Sequence, residues 1–507
     1  MSCPDPAGHP RATGVSPGPM NLDAAALYRA VESRDRRFEG RFVLGVTTTG
    51  IYCRPGCPAR LPRRENVRFF ACAAAAESTG FRPCRRCRPE ASPGTPGSLG
   101  TGATVARALR LIDEGGLDGA GIDELAARLG LGGRHLRRLF VEKLGASPLS
   151  IARSRRTHFA KKLLDETDLS MVEIAASAGF GSLRRFNTEV RAVFQRSPTE
   201  LRAARKGALL PSSDGSRLGL RLAYKPPHDW QSALAFLRAR AIPGVECVGS
   251  REYQRTIALG GIHGTINVRQ AASGASFLEL RVPTSFSAHL HTIAARIGRV
   301  FDLGADPTAI DEHLAGSPRL APLVAARPGL RVPGAWDGFE LAVRAVLGQQ
   351  ITVAGATTLA GRLVSAFGEA LSDAGSPGLT HLFPTPSALA QADVASIGLP
   401  RARGETLRAL ASAVRDQTIS LDMPPSPEAE REKLAAIPGI GPWTVEYIAL
   451  RAFGEPDAFP ASDLALRKAL REGGESPSER AVLALAEPFR PFRAYAAMHL
   501  WNSLSTP

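Results

Sequence analysis

Long apolar runs, secretion signals and cysteines are all scarce in this sequence. No run of about eighteen apolar residues occurs, so we expect no membrane-spanning helix. The first residues, Met1 to Pro6, lack the basic and apolar segments of a secretory signal, so we expect a cytoplasmic protein. Only seven cysteines occur in 507 residues, and in a reducing compartment cysteines are more often metal ligands or reactive thiols than disulfides.

Acidic residues are also in short supply, but only in one part of the chain. The net charge is +15, and residues 1–206 carry 34 Lys+Arg against 20 Asp+Glu, whereas the remaining residues carry 29 against 28. An excess of positive charge concentrated in one part of a chain indicates a polyanionic partner. The simplest partner of this kind is a nucleic acid.

Composition and apolar periodicity divide the chain into seven segments. Residues 1–20 are rich in proline, glycine and serine and are predicted to be disordered. Residues 91–103 and 207–217 have the composition of linkers. The folded segments are 21–90, which mixes helix with short strands; 104–206, which is helical; 218–330, which mixes strands and helices; and 331–507, which is all helical. The predicted fold class is a multidomain α+β chain.

Four cysteines form two close pairs. Cys53 and Cys57 are separated by three residues, Cys84 and Cys87 by two, and 26 residues lie between the pairs. This spacing is typical of a tetrahedral zinc site with four thiolate ligands. Such a site is either purely structural or holds a reactive thiolate, because zinc keeps a thiol deprotonated at neutral pH. Both alternatives stay open on spacing alone.

The stretch from Ile437 to Asp463 has the pattern of a ligand-binding hairpin followed by a carboxylate. A tight turn is predicted before a helix that begins near Pro442. Gly439 and Gly441 can take positive φ, so the backbone can approach a ligand without a Cβ in the way. The helix would aim unpaired N–H groups at a phosphate. Asp463 then precedes an apolar helical run. The alternatives are a turn that only connects two core helices and an aspartate that only caps a helix.

The helical segment contains one pattern twice, about fifty residues apart. In each copy an alanine precedes a glycine by four residues, as in Ala126 with Gly130, which is typical of a helix-turn-helix. The helix after each glycine is then the one that enters the major groove. The alternative is an ordinary helical bundle with basic faces. The predicted DNA-contacting side chains of the two recognition helices are Arg134, Arg137, Arg184 and Arg185.

The C-terminal half resembles the helix-hairpin-helix DNA glycosylases, and among them the AlkA-type 3-methyladenine DNA glycosylases. The resemblance covers about Leu222 to Trp501. Besides the hairpin with Asp463, it is carried by the motifs Lys225–Trp230, Ala326–Gly334, Val343–Gln350 and Met498–Trp501. It implies an α+β domain of the AlkA N-terminal kind over 218–330 and an all-α glycosylase domain over 331–507. It also implies excision of alkylated purines, with Asp463 as the catalytic carboxylate beside the sugar of the everted nucleotide.

The same resemblance implies how a damaged base is bound. Electron-rich rings attract a cationic base face-on, and Gln350 stands where the family inserts an apolar wedge into the emptied stack. Trp443 occupies the position of the Schiff-base lysine of enzymes that also cut the backbone, so a monofunctional glycosylase is expected. No cysteine follows Cys247, so we expect no iron–sulfur cluster, and no organic cofactor is expected. The implied pocket residues are Trp443, Tyr447, Trp501 and, more weakly, Phe236.

Around the cysteine pairs the chain resembles the N-terminal domain of the Ada-type alkylation-response proteins. The motifs that carry this resemblance are Thr47–Arg60, Arg63–Phe70 and Gly80–Pro89. It implies one Zn²⁺ held by all four thiolates and irreversible transfer of a methyl group from a DNA methylphosphotriester to Cys53. Methylation would change the formal charge of the site from −2 to −1 and so raise the affinity for DNA. The implied backbone contacts are Thr49, Arg60 and Arg82, and Pro58 replaces an arginine of the Ada pattern.

The doubled helical motif, which ends in Arg191–Leu201, resembles the DNA-binding domain of AraC-type regulators. This resemblance implies sequence-specific DNA binding and transcription activation, with RNA polymerase as a further partner. The chain is thus expected to be a fused alkylation-response protein. One alternative is a transcription regulator whose C-terminal half binds DNA without excising bases. The other is a repair enzyme whose N-terminal units only tether it to DNA.

Overall fold

A computed structural model describes residues 24–35, 38–87, 89, 103–113, 115–205, 209–210, 216–271, 274–371, 377–422, 424, 426–471 and 475–504. The segment 1–20, predicted to be disordered, and most of both predicted linkers lie outside these residues. In the described part of the chain, no helix combines the length and the apolar composition needed to cross a bilayer.

The first unit is a four-stranded sheet with two helices. Its strand order is β3-β1-β2-β4, in which β1 pairs antiparallel with β2 and β3, whereas β2 and β4 run parallel. Phe42, Leu44 and Tyr52 fill its core. The elements are α1 (Ala24–Glu32), β1 (Val43–Val46), β2 (Ile51–Cys53), β3 (Val67–Phe70), α2 (Ala73–Ser78) and β4 (Arg82–Pro83).

The second unit is helical, as predicted. Gly130 and Gly179 stand in the turns of the two helix-turn-helix motifs with φ of 67° and 80°, a conformation that costs other residues steric strain. The long helix α6 joins the two motifs. The elements are α3 (Ala103–Asp113), α4 (Ile122–Ala127), α5 (Gly133–Leu144), α6 (Pro148–Glu166), α7 (Met171–Ser177), α8 (Leu183–Phe194) and α9 (Pro198–Ala203).

The third unit is an antiparallel five-stranded sheet of order β5-β9-β8-β7-β6 covered by helices. Its apolar core is continuous with that of the second helix-turn-helix motif. Phe159 of α6, for example, packs edge-on against His291 with 4.6 Å between ring centroids. The elements are β5 (Arg217–Ala223), α10 (Trp230–Arg238), β6 (Glu246–Val248), β7 (Glu252–Leu259), β8 (Ile262–Gln270), β9 (Phe277–Pro283), α11 (Leu290–Val300), α12 (Pro307–Leu314) and α13 (Ala321–Ala326).

The fourth unit packs its helices around a large aliphatic core that includes Leu347, Leu407, Leu434 and Ile448. The elements are α14 (Gly338–Leu347), α15 (Val353–Phe367), α16 (Pro386–Gln391), α17 (Arg401–Arg415), α18 (Pro427–Ala435), α19 (Pro442–Arg451), α20 (Leu464–Ala469), α21 (Glu479–Ala486) and α22 (Arg493–Ser503). Together the four units confirm the predicted fold class, a multidomain α+β chain.

A buried ionic network fixes the third unit against the fourth. Arg255 of β7 donates to Glu340 of α14 at 2.7 Å, and Arg344 of α14 donates to Glu246 of β6 at 3.0 Å. Arg344 also donates to the backbone carbonyl of Arg240, just after α10. Because an unpaired buried charge is costly, this network favours one arrangement of the two units. It holds the end of α10 close to α19.

Candidate functional site

The predicted hairpin lies between α18 and α19. Gly439 adopts a φ of 91°, and a Cβ atom there would lie 2.2 Å from the Thr406 hydroxyl oxygen, so this position requires glycine. Gly441 does not use a positive φ: it is the N-cap of α19 in extended conformation, with a φ of −91°. One left-handed residue is enough to reverse the chain, because Pro442 fixes the first turn of the next helix. Both glycines are exposed.

Asp463 is the N-cap of α20 and is surrounded by N–H donors. Its Oδ1 atom accepts hydrogen bonds from the backbone N–H groups of Ala465 and Leu466, each at 2.9 Å. The indole of Trp501 donates to the same oxygen at 3.0 Å, and the indole of Trp443 donates to Oδ2 at 2.8 Å. The aspartate therefore caps a helix and at the same time presents a carboxylate between two aromatic side chains.

Three of the four predicted pocket residues lie together. The rings of Trp443 and Tyr447, one turn apart on α19, stack with 5.1 Å between centroids and an interplanar angle of 11°. Trp501 of α22 is tilted against Tyr447 at 6.3 Å. Trp443 and Trp501 are half-buried, and Tyr447 is buried. The structure thus brings three aromatic rings and the Asp463 carboxylate together, and we call this group of four side chains the cleft.

The fourth predicted pocket residue, Phe236, lies behind this cleft in the apolar core. Its ring is covered by the guanidinium groups of Arg240 and Arg451, at 3.8 and 4.9 Å from the ring centroid. Arg451 also donates to the Tyr447 hydroxyl oxygen at 3.1 Å. Phe236 therefore approaches the cleft through a cation rather than through a ring-to-ring contact.

The two arginines act on the ionisation of Tyr447. Burial raises the pKa of the Tyr447 phenol, but the positive charges of Arg451 and Arg240 outweigh burial and lower the pKa to about 8. Sequence reasoning missed both arginines. The only signal was the spacing of Tyr447 and Arg451, which lie one helical turn apart on α19.

The predicted wedge residue, Gln350, is exposed beside the hairpin and has a φ of 58°. A positive φ is uncommon for glutamine and stores strain at an exposed position. The preceding residue, Gln349, was not predicted to contribute, yet its side chain donates to the Gly439 carbonyl at 2.8 Å and to the Thr444 hydroxyl at 2.9 Å. Gln349 thus ties the loop of Gln350 to the hairpin.

The four predicted zinc ligands also lie together. Their sulfur atoms are all within 4.8 Å of one another, and the Sγ atoms of Cys57 and Cys84 are 3.9 Å apart. A tetrahedral zinc ion with metal–sulfur bonds of about 2.3 Å requires sulfur atoms about 3.8 Å apart, so the cluster fits zinc. Cys53, at the end of β2, is 7% exposed.

The thiols of this cluster compete for protons. Hydrogen bonding with Cys57, Cys84 and Cys87, together with burial, raises the pKa of Cys53, whereas a hydrogen bond from Cys53 lowers the pKa of Cys57 to about 7. Sulfur atoms at these distances cannot all be ionised without a cation between them. The fifth cysteine of this unit, Cys72, instead contacts the carbonyl of Leu144 in the helical unit at 3.5 Å.

A polar cluster that the sequence did not indicate joins the zinc-binding unit to the helical unit. Tyr52, next to Cys53, is fully buried and donates to Glu77 at 2.9 Å. His158 of α6 binds the same Glu77 oxygen at 2.6 Å. Burial would raise the pKa of Glu77, but His158 and the hydrogen bonds lower it. The backbone carbonyl of Tyr52 also accepts the N–H of Cys84, so one residue links two ligands to α6.

The predicted DNA contacts of the N-terminal half lie at the surface. Thr49 and Arg60 are exposed, and Arg82, which begins β4, is half-buried. All four predicted arginines of the recognition helices α5 and α8 are exposed, but Arg185 donates to Glu189 at 2.7 Å. The side chains of Thr49, Arg60 and the four helix arginines are therefore accessible from solvent.

Four family models match the chain in consecutive order. They are the metal binding domain of Ada (residues 26–90), a helix-turn-helix domain (125–204), the AlkA N-terminal domain (219–337) and the HhH-GPD superfamily of base excision DNA repair proteins (343–491). These matches confirm the resemblances to the Ada-type and AlkA-type proteins and the helix-turn-helix character of the second unit.

Known relatives match both the parts and the whole. DNA-3-methyladenine glycosylase 2 of Escherichia coli is 36% identical over 288 residues, or 55% of this chain and 95% of that protein. The bifunctional transcriptional activator/DNA repair enzyme Ada of the same species is 35% identical over 153 residues, or 30% of this chain and 42% of that protein. A probable bifunctional transcriptional activator/DNA repair enzyme AlkA of Mycobacterium tuberculosis is 43% identical over 490 residues, which are 96% of this chain and 98% of that relative. The chain therefore belongs to the family of this mycobacterial protein, in which an Ada-type metal-binding domain and a helix-turn-helix domain are fused to an AlkA-type glycosylase.

Proposed function

We propose that this protein excises alkylated purines, 3-methyladenine among them, from double-stranded DNA as a monofunctional glycosylase. The observation that carries the proposal is the Asp463 carboxylate, held between two indoles at a cleft of three aromatic rings. The hairpin of Gly439 and Gly441 would hold the DNA backbone, and Gln350 would fill the space left by the everted nucleotide. Trp443, Tyr447 and Trp501 would stack on the base, while Phe236 supports the cleft from behind.

The reaction needs little acid catalysis, because an alkylated purine already carries a positive charge. When the bond between C1′ and the base nitrogen breaks, its electron pair leaves with the base, which becomes neutral. The Asp463 carboxylate stabilises the positive charge that develops on the sugar. Water then bonds to C1′ and loses its proton to solvent. The products are the free base and an abasic site with an intact backbone.

We also propose that the N-terminal unit accepts a methyl group from a DNA methylphosphotriester on Cys53. The Cys53 thiolate attacks the methyl carbon and the S–C bond forms. The bond between that carbon and the ester oxygen breaks, and its electron pair stays on the oxygen, which leaves an anionic phosphodiester. Bound zinc, held by all four cysteines, supplies a thiolate that is ionised at neutral pH. Thr49, Arg60 and Arg82 would hold the DNA backbone during this step.

Methylation removes one negative charge from the cluster and therefore weakens its repulsion from DNA phosphates. We propose that this change strengthens binding by the recognition helices, through Arg134, Arg137, Arg184 and Arg185, at a promoter. Transcription activation implies RNA polymerase as a protein partner, and the cytoplasmic nucleoid as the place of action. Zinc is the single cofactor in this proposal.

The glycosylase proposal is tested by base release. Wild-type protein should release methylated bases from alkylated duplex DNA, and Asp463→Asn should lower the single-turnover rate by at least about 100-fold. Cys53→Ser is the matched control, because it leaves the cleft intact. Equal rates for wild type and Asp463→Asn would contradict the proposal and favour a regulator that binds DNA without excising bases.

Methyl transfer is tested by mass spectrometry after exposure to methylated DNA. A peptide containing Cys53 should gain the mass of one methyl group, and a peptide containing Cys72 should not. Promoter affinity measured before and after this reaction tests the switch. An unchanged affinity would leave the N-terminal units as tethers only.

A further inference from the structure

The two tryptophans of the cleft make a contact that stacking does not require. Each directs its indole N–H at the Asp463 carboxylate, Trp443 at Oδ2 and Trp501 at Oδ1, at 2.8 and 3.0 Å. A phenylalanine or tyrosine ring can also stack on a base, so stacking alone does not require indole. Of the side chains of Phe, Tyr and Trp, only the Trp indole carries an N–H group. This group donates a hydrogen bond and cannot accept one.

We propose that Trp443 and Trp501 are positioning residues for Asp463: their N–H groups, as distinct from their ring faces, orient the carboxylate so that Oδ2 faces the sugar. The inference deepens the proposed glycosylase function and rests on it. It assigns each indole a second role beside base stacking.

The distribution of donors over the two oxygens carries this inference. Oδ1 accepts three hydrogen bonds, from the N–H groups of Ala465 and Leu466 and from Trp501, whereas Oδ2 accepts one, from Trp443. A carboxylate has about four lone-pair sites on its two oxygens. Oδ1 is therefore saturated, and the site that is left for a developing positive charge lies on Oδ2.

The donors come from three helices, which fixes the carboxylate in more than one direction. The backbone donors belong to the first turn of α20, Trp501 to α22 and Trp443 to the first turn of α19. Trp443 is only two residues from the hairpin glycine Gly441. Backbone binding by the hairpin and the orientation of Oδ2 are thus linked through one side chain.

The substitutions Trp443→Phe and Trp501→Phe test the inference, because they remove the N–H donor and keep a smaller ring for stacking, whose weaker stacking is measured separately by the affinity and by the Asp463→Asn background. Each should lower the single-turnover rate of base release by about 10- to 100-fold, the usual effect of a hydrogen bond to a charged group. The dissociation constant for duplex DNA with an abasic-site analogue should change by less than about 3-fold. In an Asp463→Asn background neither substitution should lower the rate further.

Trp230→Phe is the matched control. Trp230 is a buried indole in the core of the third unit, away from the cleft, so this variant should release bases at the wild-type rate. A rate loss in Trp443→Phe and Trp501→Phe that persists in the Asp463→Asn background, or that comes with an equal loss of DNA affinity, would overturn the inference. So would unchanged rates in both variants. These failures differ from failure of the proposed function, in which wild-type protein releases no base at all.

Discussion

Two anionic centres lie at opposite ends of this chain and hold their charge by different means. In the zinc-binding unit, four sulfur atoms within 4.8 Å of one another repel each other as thiolates. In the glycosylase-like unit, the single Asp463 carboxylate is surrounded by four N–H donors, two from the backbone and two from indoles. The first centre needs a cation, whereas the second is complete in the polypeptide.

This difference fits the chemistry proposed for each centre. A thiolate that attacks a methyl group must be a strong nucleophile, and it is used once. A carboxylate that stabilises a transient positive charge must stay fixed through many turnovers, which favours rigid donors from packed helices. The contrast predicts that the two centres fail under different conditions.

Removal of zinc should give the largest difference between the two proposed activities. A chelator should abolish methyl transfer and unfold the strands β1 and β2, because structural zinc sites of this kind contribute on the order of 10 kcal/mol to folding. Base release should stay within about twofold, since the Asp463 carboxylate is held by N–H donors of the polypeptide in another unit. Hydrogen exchange and base release, measured on one chelated sample, check both halves. Parallel loss of the two activities would contradict the comparison.

Acid should lower the stability of the fourth unit, which holds Asp463, through protonation of His499. This side chain, two residues before Trp501 on α22, is 2% exposed, and burial lowers its pKa to about 4. In the unfolded chain it binds a proton below about pH 6.5. Protonation therefore favours the unfolded chain, and stability is lost as the pH falls from about 6.5 to 4, by up to roughly 3 kcal/mol.

Thermal unfolding between pH 4 and 7 measures this effect. The His499→Leu variant should show a flatter dependence on pH than wild type. His313→Leu removes an exposed histidine of α12 and controls for the loss of a histidine as such. Identical slopes for wild type and His499→Leu would assign the acid sensitivity to other groups.

Substitution of each hairpin glycine by alanine tests which of the two the fold requires. Gly439→Ala combines a φ of 91° with a Cβ atom 2.2 Å from the Thr406 hydroxyl oxygen, so it should lower the free energy of unfolding by about 1–3 kcal/mol. Gly441→Ala meets no atom within 4 Å and should change it by less than about 0.5 kcal/mol. Denaturant unfolding of both variants checks this, and a reversed order would show that the hairpin is held differently.

Local pattern predicted most of the fold and the main candidate residues, because those features depend on short spacing. The cysteine pairs, the glycines of the helix-turn-helix motifs, the hairpin and the aspartate at the start of α20 all lie within a few residues of the signals that identify them. Which hairpin glycine takes the positive φ could not be predicted, because both Gly439 and Gly441 are permitted a wide φ range.

The contacts that orient these residues could not be predicted, because they join distant parts of the chain. Gln349 binds the hairpin carbonyl of Gly439, 90 residues away, and His158 meets Glu77 across 81 residues. Arg240 acts on Tyr447 from another unit, where Arg344 of α14 binds its backbone carbonyl. No periodicity or spacing carries such information. The roles of the individual site residues stay predictions until the variants above are measured.

The smallest expected effect is on the hydrogen bond from Tyr52 to Glu77, which lies next to the cysteine cluster. Tyr52→Phe removes the hydroxyl that donates to Glu77 at 2.9 Å and should lower the free energy of unfolding by about 1 kcal/mol. Because Glu77 also binds His158 of α6, hydrogen exchange should rise in both α2 and α6. Tyr28→Phe is the control, since its hydroxyl donates to the Pro62 carbonyl inside the zinc-binding unit. Equal protection of α6 in both variants would mean that the polar cluster does not couple the zinc-binding unit to the helical unit. The thiolate centre would then depend on its own unit alone, as the carboxylate centre does.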